Sequence, residues 1–266
     1  MLIYFFAYLL CGCAVGFCAG LLGIGGGVIG IPLLFLLFNL QEIPSSISMH
    51  MAVGTLFATV ILTSIASIVS HYRSGMILFP VFKKIIGGTM IGCVLGIVIA
   101  SHLSGVYLQR IFGVFLWFLA LQYFFKKNLM MQKTLPPQGK ILIATTSIGT
   151  LSGLLGLGGG IFIVPYLNWY GVSMRNAIAT SSACILPVAI IGATGYILAG
   201  MNDGNHLAFS SGYVDWLAFL GIGITSVLFA PLGAKITHGI SPVLLKRFFS
   251  IFLIFVGSSM VVQTFS

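Results

Sequence analysis

The sequence predicts an all-α, polytopic membrane protein of two inverted-topology repeats, each with a Gly-broken helical hairpin plus three transmembrane helices. Three observations carry this. The 266-residue chain is 59% hydrophobic and 6% charged, and apolar runs of about 18 residues or more recur along it, the length a helix needs to cross a bilayer. Two stretches, "GLLGIGGGVIGIPLL" (Gly20 to Leu34) and "GLLGLGGGIFIVPYL" (Gly153 to Leu167), agree at nine of their fifteen positions. The basic residues fall on one side of a membrane only if the second half is upside down with respect to the first.

The apolar runs place spans at about 2–38, 46–71, 85–103, 106–125, 141–171, 177–199, 213–234 and 243–264. They are too long and too continuously apolar for barrel strands. The first run lacks a cationic leader region, so it is expected to belong to the mature fold. Residues 126–140, "KKNLMMQKTLPPQGK", form a basic linker between a first repeat, 1–125, and a second, 141–266.

The halves match beyond the glycine motif. "MAVGTLF" (Met51 to Phe57) aligns with "NAIATSS" (Asn176 to Ser182), Gly75-Met76 with Gly200-Met201, and "LQRIFGVF" (Leu108 to Phe115) with "LKRFFSIF" (Leu245 to Phe252). Four segments recurring in one order are an internal duplication, a common plan for transporters.

Orientation follows from the charges. If each glycine segment crosses once, Arg73, Lys83, Lys84, Lys126, Lys127, Lys133 and Lys140 oppose Arg110, Arg175, Lys235, Lys246 and Arg247, which is almost no bias. If each glycine segment enters and returns, Arg110 alone lies on the far side, and the positive-inside rule selects that arrangement. Glu42, Asp203, Asp215 and both termini then lie outside. Length agrees: residues 2–38 as one straight helix would span about 55 Å, against a hydrocarbon core of about 30 Å.

The second leg of each hairpin is then a half-helix beginning at Gly27 or Gly160. Its first backbone N–H groups are unpaired and its positive dipole end points at the tip. Glycine permits the turn and a close ligand approach. Unpaired N–H groups in hydrocarbon cost several kcal/mol each, and a helix start is a ready anion site. Two tips entering from opposite faces would build one dehydrated, anion-accepting cavity near the midplane. Pro32 and Pro165 either fix the helix starts or kink the legs. Close helix packing is the competing use of glycine; it is the reading for Gly88, Gly92 and Gly96, and for Gly16 with Gly20.

Thr55 and Thr180 occupy matching positions in the following helices, and Ser181 and Ser182 adjoin the second. Their hydroxyls either bond an oxyanion or back-bond to helix carbonyls. His50 and His71 read as interfacial residues near opposite ends of one helix, and the spans hold no obvious mid-membrane carboxylate for proton coupling. Arg110 and Arg247, matched across the repeat, read as snorkelling side chains. Cys11, Cys13, Cys18, Cys93 and Cys184 all lie in apolar segments and read as buried thiols rather than a disulfide framework.

The repeated G-x-GGG-x4-P motif, the segment "AVGTLFATVILTSIASIVSHYRSG" (Ala52 to Gly75) and the basic linker resemble the sulfite exporter TauE/SafE family of membrane transporters over nearly the whole chain. The resemblance implies movement of small sulfur-containing or organic anions across the cytoplasmic membrane. It favours Gly23, Gly25, Gly26, Gly27 and Pro32 in the first copy, and Gly156, Gly158, Gly159, Gly160 and Pro165 in the second. Ala179, standing where the first copy has Gly54, departs from strict symmetry.

The expected function is therefore secondary transport, in the export direction, of a small anion such as a sulfur oxyanion or organosulfonate, by alternating access. A passive anion channel is the alternative. No paired carboxylate, metal cluster or reactive Ser/His pair suggests an enzyme, and no nucleotide-binding motif or other cofactor signature suggests ATP-driven pumping. The net charge of +9 serves orientation in the bilayer rather than nucleic-acid binding. The expected partners are the anion, the lipid and, if the chain self-associates, further copies of itself.

Overall fold

The computed structural model of the protein describes residues 2–22, 26–125, 135–201, 209–237 and 242–265. Ten helices account for nearly all of them. In chain order these are α1 (Leu2–Leu22), α2 (Gly27–Leu40), α3 (Ser45–Arg73), α4 (Phe79–His102), α5 (Gly105–Phe125), α6 (Gln138–Leu155), α7 (Gly160–Trp169), α8 (Met174–Met201), α9 (Trp216–Thr237) and α10 (Pro242–Val262). Among the described residues, α3, α4, α5 and α8 are long and apolar enough to cross a membrane, and α1, α2, α7, α9 and α10 contribute shorter apolar stretches. The protein is an all-α, multi-pass membrane protein.

Both glycine segments are broken where their sequences predict. The first run divides into α1 and α2, and the run over 141–171 into α6 and α7. α2 turns back along α1: the Tyr8 and Phe38 rings lie 6.3 Å apart, and Gln41 Nε2 donates to the Tyr8 hydroxyl at 2.7 Å. At about 1.5 Å per residue, the 14 residues of α2 and the 10 of α7 give legs of about 21 and 15 Å, well short of a bilayer core. Pro32 and Pro165 lie inside these legs, at the sixth helical position. Neither sets the helix start; each removes one N–H from the helix ladder beyond the first turn.

Two details differ from the sequence reading. α4 begins at Phe79 rather than near 85, because Pro80 is accepted in the first turn and Lys83 and Lys84 ride on the helix with exposed side chains. A two-residue antiparallel pairing, β1 (Ser210–Ser211) with β2 (Val214–Asp215), precedes α9, so that helix begins at Trp216 rather than near 213.

The helices associate in a pattern that is unchanged when the halves are exchanged. α1 packs on α9 as α6 packs on α4, and α3 meets α8 while α5 meets α10. Small residues make the first two contacts close. A Cβ added to Gly92 would lie 2.7 Å from Thr150 N, and one added to Gly153 would lie 3.0 Å from Cys93 Cα. Gly88 and Gly96 sit against Thr145 and Thr150 in the same seam, and Gly12 and Gly16 against Ile222 and Ser226 of α9. In both seams residue numbers rise together, so the paired helices are parallel.

The other two pairs are antiparallel. On α3 and α8, Gly54 and Phe57 meet Tyr196 and Gly192, while Ser67 donates to Ser182 Oγ at 3.1 Å. On α5 and α10, Gln109 Nε2 reaches the Met260 carbonyl at 2.7 Å and Trp117 Nε1 reaches Ser258 Oγ at 3.1 Å. α3 corresponds to α8 in the duplicated sequence, and α5 to α10. The core gathers around the first of these pairs: Met51, Ala52, Val53, Leu56 and Phe57 are all at most 1% exposed.

Candidate functional site

α2 and α7 both start from glycine. The intrahelical ladder of α2 begins with Ile29 and Gly30 N–H bonding the Gly26 carbonyl, at 3.3 and 2.7 Å, and that of α7 with Phe162 and Ile163 bonding Gly159, at 3.0 and 2.9 Å. The N–H groups of Gly27 and Val28, and of Gly160 and Ile161, precede the ladder in each case. No side chain caps either start, and all four residues are buried. Buried, uncapped helix starts of this kind attract a negative group, because the partial charges of the orphan N–H groups add to the dipole end.

The second tip can be made only of glycine. Gly156 closes α6 with φ +71°, and Gly158 and Gly159 follow with φ +62° and +86°, a left-handed backbone that side-chain-bearing residues rarely adopt. In the first tip Gly26 is right-handed, with φ −71°, and is pressed by α1: a Cβ there would lie 2.6 Å from Val15 Cγ1. Gly23 and Gly25 lie outside the described residues.

The two tips meet. A Cβ on Gly27 would fall 3.3 Å from Leu157 Cα and 3.4 Å from the Gly156 carbonyl oxygen. The turn at Gly156 also rests on Val53 of α3 and Ile31 of α2, and Gly158 faces Ile185 and Val60. Segments 130 residues apart are thus joined beside the middle of α3 and the first half of α8.

The predicted hydroxyls divide into three roles. Thr55 Oγ1 accepts the Asp215 N–H at 3.0 Å, and Thr180 Oγ1 accepts the Leu78 N–H at 3.1 Å. Each threonine so anchors the residue that precedes the fourth helix of the opposite half, α9 or α4. That is neither of the two uses foreseen for them, and each hydroxyl still has a proton to donate. Ser182 joins Ser67 and back-bonds to the Ile178 carbonyl at 3.0 Å. Ser181 is different: it is 1% exposed and its hydroxyl has no partner. It lies 3.6 Å from where a Cβ on Gly160 would stand, beside the start of α7.

The departure from symmetry at Gly54 and Ala179 has a steric cause. The turn before α9 is pushed against α3, so a Cβ on Gly54 would lie 2.7 Å from the Tyr213 carbonyl oxygen. The same turn carries Asp215 inward, to the level of Thr55, rather than leaving it at an outer surface. The Asp215 carboxylate accepts the Ala218 N–H at 2.9 Å beside the Tyr8 hydroxyl, and burial raises its carboxyl above the ordinary value near 3.8. His50 is likewise buried within the protein. It is 3% exposed, stacks on Tyr213 with ring centroids 5.0 Å apart, and places Nε2 3.0 Å from the Ala100 carbonyl oxygen.

The remaining predicted residues stand apart from the tips. His71 lies in the last turn of α3. Arg110 donates to Thr264 Oγ1 at 2.8 Å and to its carbonyl at 3.0 Å, with the Phe265 ring 4.6 Å away; it ties α5 to the end of the chain. Arg247 is exposed. The five cysteines are free thiols, with Cys11, Cys93 and Cys184 buried. No group of three metal-ligating side chains occurs among the described residues. Sequence reasoning missed Tyr8, Gln41 and Asp215 as one cluster. An Asp directly before an apolar run, "DWLAFL", is an N-cap signal that marks the position.

Comparison with known proteins points to one family of membrane transporters. The model of a family described as sulfite exporter TauE/SafE matches residues 8–260. A probable membrane transporter protein of Haemophilus influenzae is 34% identical over 254 residues, covering 95% of this chain and 96% of that one. Another, of Methanocaldococcus jannaschii, is 30% identical over 88% of this chain and 86% of its own length. The probable membrane transporter protein YdhB of Bacillus subtilis is 28% identical over 87% and 90%. No solved structure matches.

Proposed function

The chain belongs to the sulfite exporter TauE/SafE family, and we propose that it is a secondary transporter that moves a small anion, a sulfur oxyanion or organosulfonate, out across the cell membrane. Transport runs by alternating access around a site formed where the starts of α2 and α7 meet.

The observation that carries this reading is the pairing of two buried, uncapped helix starts with the unpartnered hydroxyl of Ser181. A tetrahedral oxyanion satisfies several N–H donors at once, and a hydroxyl completes its shell. The anion contacts are drawn from the N–H groups of Gly26, Gly27 and Val28 and of Gly159, Gly160 and Ile161, with Ser181 donating. Gly23, Gly25, Gly156 and Gly158 shape the turns. Thr55, Thr180 and Ser182 support the site from α3 and α8, and Pro32 and Pro165 sit one turn farther along each leg.

The halves, 1–125 and 141–266, act as inverted repeats joined by a cytoplasmic linker at 126–140. The antiparallel course of α3 against α8, and of α5 against α10, supports this, since each pair corresponds in the duplicated sequence. Rocking one half against the other would open the meeting point of the tips to one side at a time.

The test is flux in proteoliposomes, with thiosulfate, sulfite and a small sulfonate as probes. Accumulation of one of them against its gradient, driven by a second gradient, is expected. Passive conduction that never exceeds equilibrium would contradict the transporter reading, and absence of any anion flux would contradict the site.

A further inference from the structure

The buried carboxylate of Asp215 has no use in the site described above. The corresponding position in the first half is Leu78, whose N–H is held by Thr180 as that of Asp215 is held by Thr55. The anchor and the helix start are thus made in one half by an apolar residue, and α4 has no side-chain cap. The fold does not need an acid here. An N-cap could be supplied equally by Ser or Asn, without burying a group whose charged form is costly.

Asp215 is 9% exposed. Its carboxylate accepts the Ala218 N–H and lies beside the Leu217 N–H and the Tyr8 hydroxyl, with no cation among these neighbours. The Tyr8 hydroxyl in turn accepts Gln41 Nε2 at 2.7 Å. The titratable groups that neighbour Tyr8 or this turn are Cys11 of α1, His50 of α3, Tyr196 of α8 and Tyr213 of the turn itself; Glu42 beside Gln41 is exposed. None of these neighbours supplies a permanent positive charge, and Arg73 and Arg175 stand at the opposite ends of α3 and α8.

The position also bears on the glycine tips. Thr55, which holds the Asp215 backbone, is two residues from Val53, which carries the turn at Gly156. One turn of α3 thus touches the acid on one face and the anion site on another.

We propose that Asp215 is a proton-binding site, and that α3, through Thr55 and Val53, couples its charge state to occupation of the anion site. The coupling half of this rests on the function proposed above. A proton from water adds to the carboxylate oxygen. The neutral acid carries a proton of its own beside the Tyr8 hydroxyl, so the polar cluster of Gln41, Tyr8 and Asp215 is free to rearrange. A proton and an anion binding together also bring less net charge into the protein than the anion alone, so each should favour the other.

The chain contains only three acidic residues, which makes the test direct. Infrared difference spectra over a pH window that starts at the ordinary carboxyl value and rises well above it are recorded on the protein with carboxyl-labelled aspartate. An Asp203→Asn variant leaves Asp215 as the sole source of a labelled carboxyl band. The expected result is a protonated-carboxyl band that titrates in this window and is absent from Asp215→Asn. No such band, or the same band in Asp215→Asn, would overturn the proton site.

The titration is then repeated with thiosulfate, which stays fully ionised throughout. A midpoint moved upward by about one pH unit, equivalent to tenfold tighter proton binding, is expected. If thiosulfate stabilises the protein against heat yet leaves the midpoint unmoved, the coupling is overturned. If none of the probe anions is bound or transported, the proposed function fails instead, while the band still decides the proton site.

Discussion

Gly27, the first residue of α2, lies against Leu157 in the turn before α7, with only 3.3 Å between the position of an added Cβ and the Leu157 Cα. The start of α2 meets the turn that leads into α7 at this contact, and its tightness makes it sensitive to a single methyl group. Gly27→Ala should insert and fold but lower anion flux about tenfold, since a methyl at this separation forces a shift at the reacting geometry of the site. Reconstituted flux measured beside the yield of monodisperse protein checks this.

Ser181→Ala separates binding from stability. The hydroxyl has no partner among the described residues, so removing it should leave the melting temperature unchanged or slightly higher. Loss of one donor to a charged ligand should weaken anion affinity by about tenfold. A lower melting temperature with unaltered affinity would make the hydroxyl a structural group. Thermal unfolding and concentration-dependent flux distinguish the two.

Thr180→Val should behave in the opposite way. It leaves the half-buried Leu78 N–H without its acceptor, a loss of about 1 kcal/mol, and should lower the melting temperature. Thr180→Ser should restore it, because the serine hydroxyl reaches the same donor. Thr55→Val and Thr55→Ser form the matched pair at the Asp215 anchor, and a thermal-shift series on the four variants compares the two halves.

Orientation is testable from one loop. Val172 lies between the glycine leg α7 and the start of α8. With inverted repeats it is cytoplasmic, so Val172→Cys, in a background lacking the five native cysteines, should resist an impermeant thiol reagent in intact cells and label after permeabilisation. Rapid labelling of intact cells would indicate parallel repeats.

Much of this architecture was legible in the sequence because it is written in composition and repetition. A glycine triplet inside an apolar run has one common physical meaning, a broken helix, and its recurrence at Gly25–Gly27 and Gly158–Gly160 located both breaks. The glycine ladder at Gly88, Gly92 and Gly96 was legible for the same reason. What escaped was long-range. Thr55 and Thr180 act across 160 and 102 residues, and no local pattern reveals that each anchors the opposite half. Asp215 reads as a surface acid at a span boundary; it is buried because the turn at Tyr213 folds inward against Gly54, a contact between segments far apart in the chain. His50 is buried by that same turn.

The central claim is that amide hydrogens at both glycine tips bind one anion. It is tested most directly by amide nitrogen spectra of the purified protein, labelled at glycine and titrated with thiosulfate. The account predicts that the Gly27 and Gly160 resonances both move and share one saturation curve. It would be contradicted if thiosulfate bound the protein while both resonances stayed in place.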